Sequence, residues 1–352
     1  MSTARRTTRT RTIMAGLGVT LLSACSPPDP SPDVEGREAP SATGTHSPAA
    51  PAPGATPSGW EAVPDGYSTP AEQRGSLVEL TYTTTHTVAQ DGAQDKDALV
   101  YLPPGYDPDD DVTRYPVLYL MHGLGGDQYS WTGRPDRPTP LPSIFDHAIT
   151  DGRIDPVIVV TPTYDPSPDS FGTAVAAFHQ ELVEDLVPAV ESTYPTFAET
   201  VDADGLRASR EHRAFGGFSM GGVTTWYLLE HAPDVFAGFL PMAGDSWNVV
   251  MFGGLERPEE TAASLARGIT GAGYGTEDLD VLAATGSGDF TTPNMEAQIP
   301  AMAEHPEAFD RTDDGFEDGN LVYHVVPGNA HDYPWGYEYV YNGLRMLPAL
   351  RD

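Results

Sequence analysis

Uniformly apolar runs alternate with amphipathic stretches along most of this chain. Residues 76–87 alternate apolar and polar side chains, as a strand with one exposed face does, and residues 98–102 are predicted to pair with them. The later apolar runs are short, as expected of strands that are buried on both faces of a sheet. These runs lie at residues 116–121, 156–161, 213–218, 235–242, 278–284 and 320–326.

Helical periodicity separates these strands. In residues 174–194 apolar side chains recur every four positions, which predicts one buried helical face, and Pro188 predicts a kink. Strands that alternate with helices predict an α/β fold, with a mostly parallel central sheet and helices on both faces. In such sheets the chemistry lies beyond the carboxyl ends of the strands. Further helices are predicted at residues 141–149, 219–231, 294–304 and 336–347.

The first 74 residues differ in composition from the rest. Four arginines precede the apolar run 13–22, which is too short to span a membrane and is typical of an export signal. The run leads into Leu22-Ser23-Ala24-Cys25, which resembles the lipobox of bacterial lipoproteins, in which the cysteine is acylated. We therefore predict a lipoprotein signal peptide over residues 1–24, a Pro/Ala/Ser-rich tether over 25–74 and the folded domain over 75–352.

This organisation predicts an extracellular protein that is held at the cell surface through Cys25. An ordinary signal peptide is the alternative, and it would release a soluble secreted protein. Cys25 is the only cysteine, which excludes an intrachain disulfide and every metal motif built on paired cysteines.

The chain is strongly acidic, with 51 Asp and Glu against 19 Lys and Arg and a formal net charge of −32. This charge repels phosphate backbones and anionic lipids, which argues against nucleic-acid binding and leaves a lipid anchor as the only predicted link to a membrane. The glycine-rich residues 122–126 lack the Lys-Ser/Thr of a phosphate-binding loop. We predict neither a metal nor a cofactor.

A candidate nucleophile lies between a predicted strand and a predicted helix. Residues 217–221 read Gly-Phe-Ser-Met-Gly, the G-x-S-x-G pattern of the nucleophile elbow, and they join the strand at 213–218 to the helix that follows. This context predicts the α/β-hydrolase fold with Ser219 as the nucleophile. An oxyanion hole needs backbone donors beside the serine, and we predict the N–H groups of Leu124 and Met220.

The base and the acid are predicted from chain order. In this fold the serine is followed by the acid and then by the histidine, and His331 is the histidine that follows the last predicted strand. Asp289 follows the strand ending at Ala284, where a carboxylate that orients the imidazole belongs. Asp245, after the preceding strand, and Asp332, beside the base, are alternatives for the acid.

Four motifs in order resemble the esterase D/antigen 85 superfamily, and most closely the feruloyl esterase domains of bacterial xylanases. The resemblance implies Ser219 as nucleophile, Asp289 as acid and His331 as base. It also implies that Trp247 forms an aromatic wall against the substrate ring. The motifs are Tyr119–Gly126 with Trp131 beyond it, Gly216–Gly222, Ala284–Asp289 and Pro327–His331.

The resemblance implies a carboxylic ester hydrolase that works through an acyl-enzyme. Its expected substrate is an ester linked to polysaccharide, a feruloyl ester on plant cell-wall xylan or, close behind, an acetyl ester of xylan. Two other functions stay open on the sequence. One is a cell-envelope acyltransferase of the antigen 85 type, and the other is a non-catalytic carbohydrate-binding envelope protein.

Overall fold

A central β-sheet organises the computed structural model, which describes residues 56–87, 92–164 and 171–351. The strands are β1 Ser76–Thr84, β2 Gln94–Leu102, β3 Val117–Met121, β4 Gly133–Arg134, β5 Arg137–Pro138, β6 Ile158–Thr161, β7 Arg213–Phe218, β8 Gly238–Met242, β9 Asp280–Gly286, β10 Arg311–Thr312 and β11 Leu321–Val326. The α-helices are α1 Pro140–Thr150, α2 Phe171–Glu181, α3 Val187–Thr193, α4 Ala203–Ala208, α5 Met220–His231, α6 Gly253–Glu256, α7 Pro258–Gly271, α8 Thr292–Ala303 and α9 Tyr333–Met346.

Within the described residues, nine strands form one sheet in the order β1-β2-β6-β3-β7-β8-β9-β11-β10. The pairs β1–β2 and β2–β6 are antiparallel, and the other pairs in this sheet are parallel. The predicted α/β fold with a mostly parallel sheet is therefore confirmed. Strand β7 lies near the middle, so the loop that follows it opens at the centre of the carboxyl edge.

Two apolar cores cover the two faces of the sheet. Strand β3 shows why, because successive side chains of a strand point to opposite faces. Tyr119 joins the core that α2, α5, α7 and α8 cover, and its neighbours Leu118 and Leu120 join the core that α1 and α9 cover. All three side chains are fully buried, which agrees with a strand that was predicted from its uniformly apolar run.

Two helical segments add to the sequence prediction. Just before Pro188, where a kink was predicted, a π-helical turn, Leu182–Leu186, lies between α2 and α3. Proline has no N–H to bond the carbonyl four residues before it, and the wider turn accommodates that loss. Helix α7 was not predicted, although it begins at Pro258 and buries Ala262, Leu265, Ala266 and Ile269 at helical spacing.

Residues 56–74, called the N-terminal strap below, were predicted to belong to the tether, and the structure corrects this boundary. The Trp60 indole Nε1 donates to Glu338 at 2.9 Å, and Asn342 exchanges hydrogen bonds with the Glu61 backbone at 2.8 and 3.0 Å. Tyr67 is only 7% exposed and stacks on His147. The strap carries aromatic side chains that the more N-terminal residues lack, and they find partners on α1 and α9.

The predicted signal peptide, Cys25 and the tether as far as residue 55 lie outside the described residues. None of the helices in the described part of the chain is long and apolar enough to cross a membrane.

Candidate active site

Ser219 occupies a sharp turn between β7 and α5. Its backbone has φ 57° and ψ −113°, a region that costs a residue with a Cβ about 1–3 kcal/mol. The Ser219 N–H donates to the Met242 carbonyl at 2.8 Å, which ties the turn to β8. Only glycine fits at two flanking positions, since a Cβ on Gly217 would lie 2.4 Å from the Gly221 carbonyl carbon and one on Gly221 would lie 2.5 Å from the Met121 oxygen.

The structure brings the three predicted triad side chains into one hydrogen-bonded chain. His331 Nε2 lies 2.9 Å from Ser219 Oγ, and His331 Nδ1 lies 2.8 Å from Asp289 Oδ2. A carboxylate can only accept, so Nδ1 carries the proton and Nε2 is free to accept the proton of the serine. The Asp289 side chain is fully buried and that of His331 is 19% exposed. The carboxylate is therefore shielded from solvent, whereas the imidazole remains partly accessible.

The surroundings of the three candidate acids differ. Asp289 keeps one oxygen for His331, while the other accepts from the Thr291 N–H at 2.8 Å and from its hydroxyl at 2.7 Å. Asp245 is also buried, and that burial raises its pKa, but its oxygens accept from Asn294 and from the backbone of residue 254. Asp332 accepts from the N–H of Tyr333 and begins α9. Only Asp289 among these three bonds the base.

The two predicted oxyanion donors belong to the loop after β3 and to the first turn of α5. Leu124 is the second residue of a turn closed by a hydrogen bond from Gly126 N–H to the Gly123 carbonyl at 3.1 Å. A Cβ on Gly123 would lie 3.3 Å from that of Ser219, so this turn runs against the nucleophile. Met220 is the first residue of α5, and first-turn N–H groups have no partner within a helix.

Two side chains that the sequence analysis missed hold this turn. His122 is buried, with Nδ1 at 2.7 Å from the Gly123 carbonyl and Nε2 at 3.0 Å from the Thr163 hydroxyl. Burial lowers the pKa of His122, which favours the neutral imidazole. The Tyr333 hydroxyl accepts from the Gly123 N–H at 2.8 Å. For Tyr333, the one signal in the sequence was its position two residues after His331.

Trp247 lies in the loop that leaves the carboxyl end of β8. The loop starts against the nucleophile, because a Cβ on Gly244 would lie 2.4 Å from the Ser219 carbonyl oxygen. Trp247 is half-buried and packs edge to face on Phe252, with ring centroids 4.9 Å apart. Several apolar side chains of this loop and of α6 are exposed. They are Val249, Val250, Met251, Phe252 and Leu255.

The described residues contain no group of three or more His, Cys, Asp or Glu side chains that could hold a metal ion. The expectation of a site without metal or cofactor stays a prediction.

Comparison with known protein families identifies the family of this chain. The esterase family model matches residues 93–336, which include all three triad side chains. The chain belongs to this esterase family. Ser219, Asp289, His331 and the turn at residues 123–126 therefore all lie within the matched region.

The curated relatives of this chain are larger enzymes that it matches over only part of their length. Endo-1,4-beta-xylanase Y of Acetivibrio thermocellus is 41% identical over 288 residues, which cover 81% of this chain and 24% of that protein. The endo-1,4-beta-xylanase/feruloyl esterase of Xylanibacter ruminicola is 31% identical over 179 residues, which cover 49% of this chain and 22% of that protein. The matched region thus spans about a quarter of these curated relatives.

One solved structure resembles this protein over most of both chains. A serine-to-alanine mutant of the feruloyl esterase module from Clostridium thermocellum, complexed with sinapinate, is 37% identical with a TM-score of 0.72. The match covers 83% of this chain and 95% of that one. The resemblance to feruloyl esterase modules of xylanases, which the sequence motifs implied, is confirmed.

Proposed function

We propose that this esterase hydrolyses hydroxycinnamoyl esters on xylan, with ferulate as the favoured acyl group. The observation that carries the proposal is the Ser219–His331–Asp289 chain of hydrogen bonds at 2.9 and 2.8 Å, set on a strained elbow. The likeness of this protein to feruloyl esterase modules supports ferulate as the acyl group.

The geometry supports catalysis through an acyl-enzyme. Ser219 Oγ attacks the ester carbonyl carbon while His331 Nε2 takes the hydroxyl proton, and Asp289 stabilises the resulting imidazolium. The carbonyl oxygen becomes an oxyanion, for which the N–H groups of Leu124 and Met220 are the donors. His331 then protonates the leaving alcohol, and the ester C–O bond breaks. Water, deprotonated by His331, releases the acid and restores Ser219.

The loop after β8 supports an aromatic acyl group over a small one. An acetyl group needs little apolar contact, whereas a hydroxycinnamoyl ring needs an apolar surface beside the reacting carbonyl. Trp247 is proposed as that surface, because its loop starts against Ser219 and exposes further apolar side chains. Acetylated xylan is the second substrate to test.

The decisive experiment compares wild type with Ser219→Ala on methyl ferulate, an aryl acetate and acetylated xylan. We expect wild type to favour methyl ferulate, and Ser219→Ala to lose turnover of all three esters and labelling by a fluorophosphonate, while its thermal unfolding stays that of a folded protein. Ser192→Ala is the matched control, since this exposed serine lies on α3 and should leave turnover and labelling intact. Turnover by folded Ser219→Ala would refute the mechanism.

The same assay separates hydrolysis from acyl transfer. Released ferulic acid in the presence of a sugar acceptor indicates the hydrolase, whereas a new sugar ester indicates the transferase.

We also propose that the enzyme is exported and held at the cell surface through Cys25. The lipobox-like Leu22–Cys25 and the tether composition support this location. Metabolic labelling with a radioactive fatty acid tests it, because Cys25→Ser should lose the label and release active enzyme into the medium.

A further inference from the structure

The imidazole of His331 contacts one buried and one exposed aromatic ring. The Phe218 ring, whose residue is only 3% exposed, has its centroid 4.7 Å from that of His331. The Phe290 ring is closer, at 4.3 Å, yet Phe290 is 71% exposed. Phe218 belongs to the apolar core below the site, so packing accounts for it, whereas the exposure of Phe290 is not explained by the core.

Phe290 is held in place by the residue before it. Asp289 bonds His331 through one oxygen and the Thr291 backbone through the other, so the chain on both sides of Phe290 is fixed. Removing a large apolar ring from water is favourable. A bound group that covers the Phe290 ring would therefore be stabilised, and the ring is already held in position to make that contact.

The stereochemistry of the reaction decides which part of the ester reaches Phe290. The tetrahedral carbon on Ser219 carries the serine oxygen, the oxyanion, the acyl carbon and the leaving oxygen. The oxyanion must point to the donors of Leu124 and Met220, and the leaving oxygen must lie within hydrogen-bond reach of His331 Nε2, which protonates it. The acyl carbon therefore points away from His331, and the alcohol lies on the side of the imidazole.

We propose that Phe290 is the contact for the sugar part of the substrate. A sugar ring presents an apolar face of C–H groups, which can pack on the exposed phenyl ring while its ester oxygen reaches His331. This assignment rests on the proposed esterase function and adds its alcohol-side specificity. It makes Phe290 a specificity-determining residue, distinct from Trp247 on the acyl side.

The test varies the alcohol and keeps the acyl group. Wild type, Phe290→Ala and Phe290→Tyr are compared on methyl ferulate and on a feruloylated arabinoxylan oligosaccharide. For Phe290→Ala we expect kcat/KM on the oligosaccharide to fall about tenfold, mainly through KM, and kcat/KM on methyl ferulate to stay within about twofold. Phe290→Tyr keeps an aromatic face and should stay near wild type on both substrates. Val112→Ala, which trims another exposed apolar side chain, is the matched control.

Two results would overturn the proposal. Equal losses on both esters, above all in kcat and with a displaced pH profile, would mean that Phe290 acts by positioning His331. Unchanged kinetics on both would mean that the sugar does not touch it. If wild type cleaves acetyl but not feruloyl esters, the proposed acyl group fails, and the same comparison with sugar acetate against methyl acetate still decides the role of Phe290.

Discussion

His122 fixes the orientation of the peptide that carries one of the two proposed oxyanion donors. The Gly123 carbonyl and the Leu124 N–H belong to the same planar peptide unit and point in opposite directions. His122 Nδ1 donates to that carbonyl at 2.7 Å, and the Thr163 hydroxyl, 3.0 Å from Nε2, donates to the other nitrogen. We predict that His122→Ala lowers kcat and that His122→Asn largely restores it, because an Asn side-chain amide can donate from a position near that of Nδ1.

The structure sets the size of the effect. Loss of a whole oxyanion donor costs about 10²–10³ in kcat. In His122→Ala the Gly123 carbonyl still accepts from Gly126 N–H at 3.1 Å. The peptide should therefore shift without losing the Leu124 N–H as a donor. We therefore expect kcat to fall roughly 10- to 100-fold, and KM to change little because the oxyanion forms only in the transition state. His122→Asn should stay within about fivefold of wild type.

Steady-state kinetics on methyl ferulate measure this effect, and thermal unfolding shows that both variants are folded. Folded His122→Ala with wild-type kcat would refute the reasoning. So would equal losses in the Ala and Asn variants, because the amide would then fail to replace the imidazole. A rise in KM with unchanged kcat would place His122 in ground-state binding.

Two further predictions concern stability. A chain that begins at residue 75 lacks the buried Tyr67 and the half-buried Trp60, so its free energy of unfolding should fall by about 3 kcal/mol relative to a chain that begins at residue 56. Equal urea midpoints would contradict the strap's role. Burial raises the pKa of Asp280 to about 7, so the folded state retains a proton that the unfolded state loses above about pH 4, and stability falls between pH 4 and 7. Asp280→Asn should remove that loss, so its advantage over wild type in urea unfolding should grow from near zero at pH 4 to roughly 1–3 kcal/mol at pH 7 and above, whereas parallel pH profiles would exclude a raised pKa at Asp280.

Local patterns carried much of the fold. Apolar runs such as residues 116–121 and 213–218 predicted β3 and β7 within a residue of their observed bounds. They could do so because a strand buried on both faces is apolar at nearly every position, and the one charged residue here, Arg213 at the start of β7, is buried in an ion pair with Glu191. The missed helix α7 had an equally local signal in Pro258 and its buried spacing. The nucleophile was also a local inference, since the elbow needs its glycines beside the serine.

Contacts between residues far apart in the chain were decided by tertiary structure alone. Asp245 and Asp289 both follow parallel strands at one edge of the sheet, so the sequence predicted Asp289 but kept Asp245 as an alternative, and the side-chain directions in the structure bring Asp289 to His331. The strap shows the same limit, because Trp60 meets Glu338 across 278 residues. Composition identifies an aromatic side chain but not the surface that buries it.

By itself, the sequence determined the strand and helix alternation and the strained serine turn, because each depends on neighbouring residues, and it predicted Asp289 and His331 from their positions after later strands. Only the tertiary structure showed that Asp289 and not Asp245 contacts His331, that His122 and Tyr333 bond the turn at residues 123–126, and that Phe290 stands exposed against His331. These features depend on where loops from β3, β7, β9 and β11 meet. That meeting is set by the packing of the whole sheet, which no local stretch of sequence encodes.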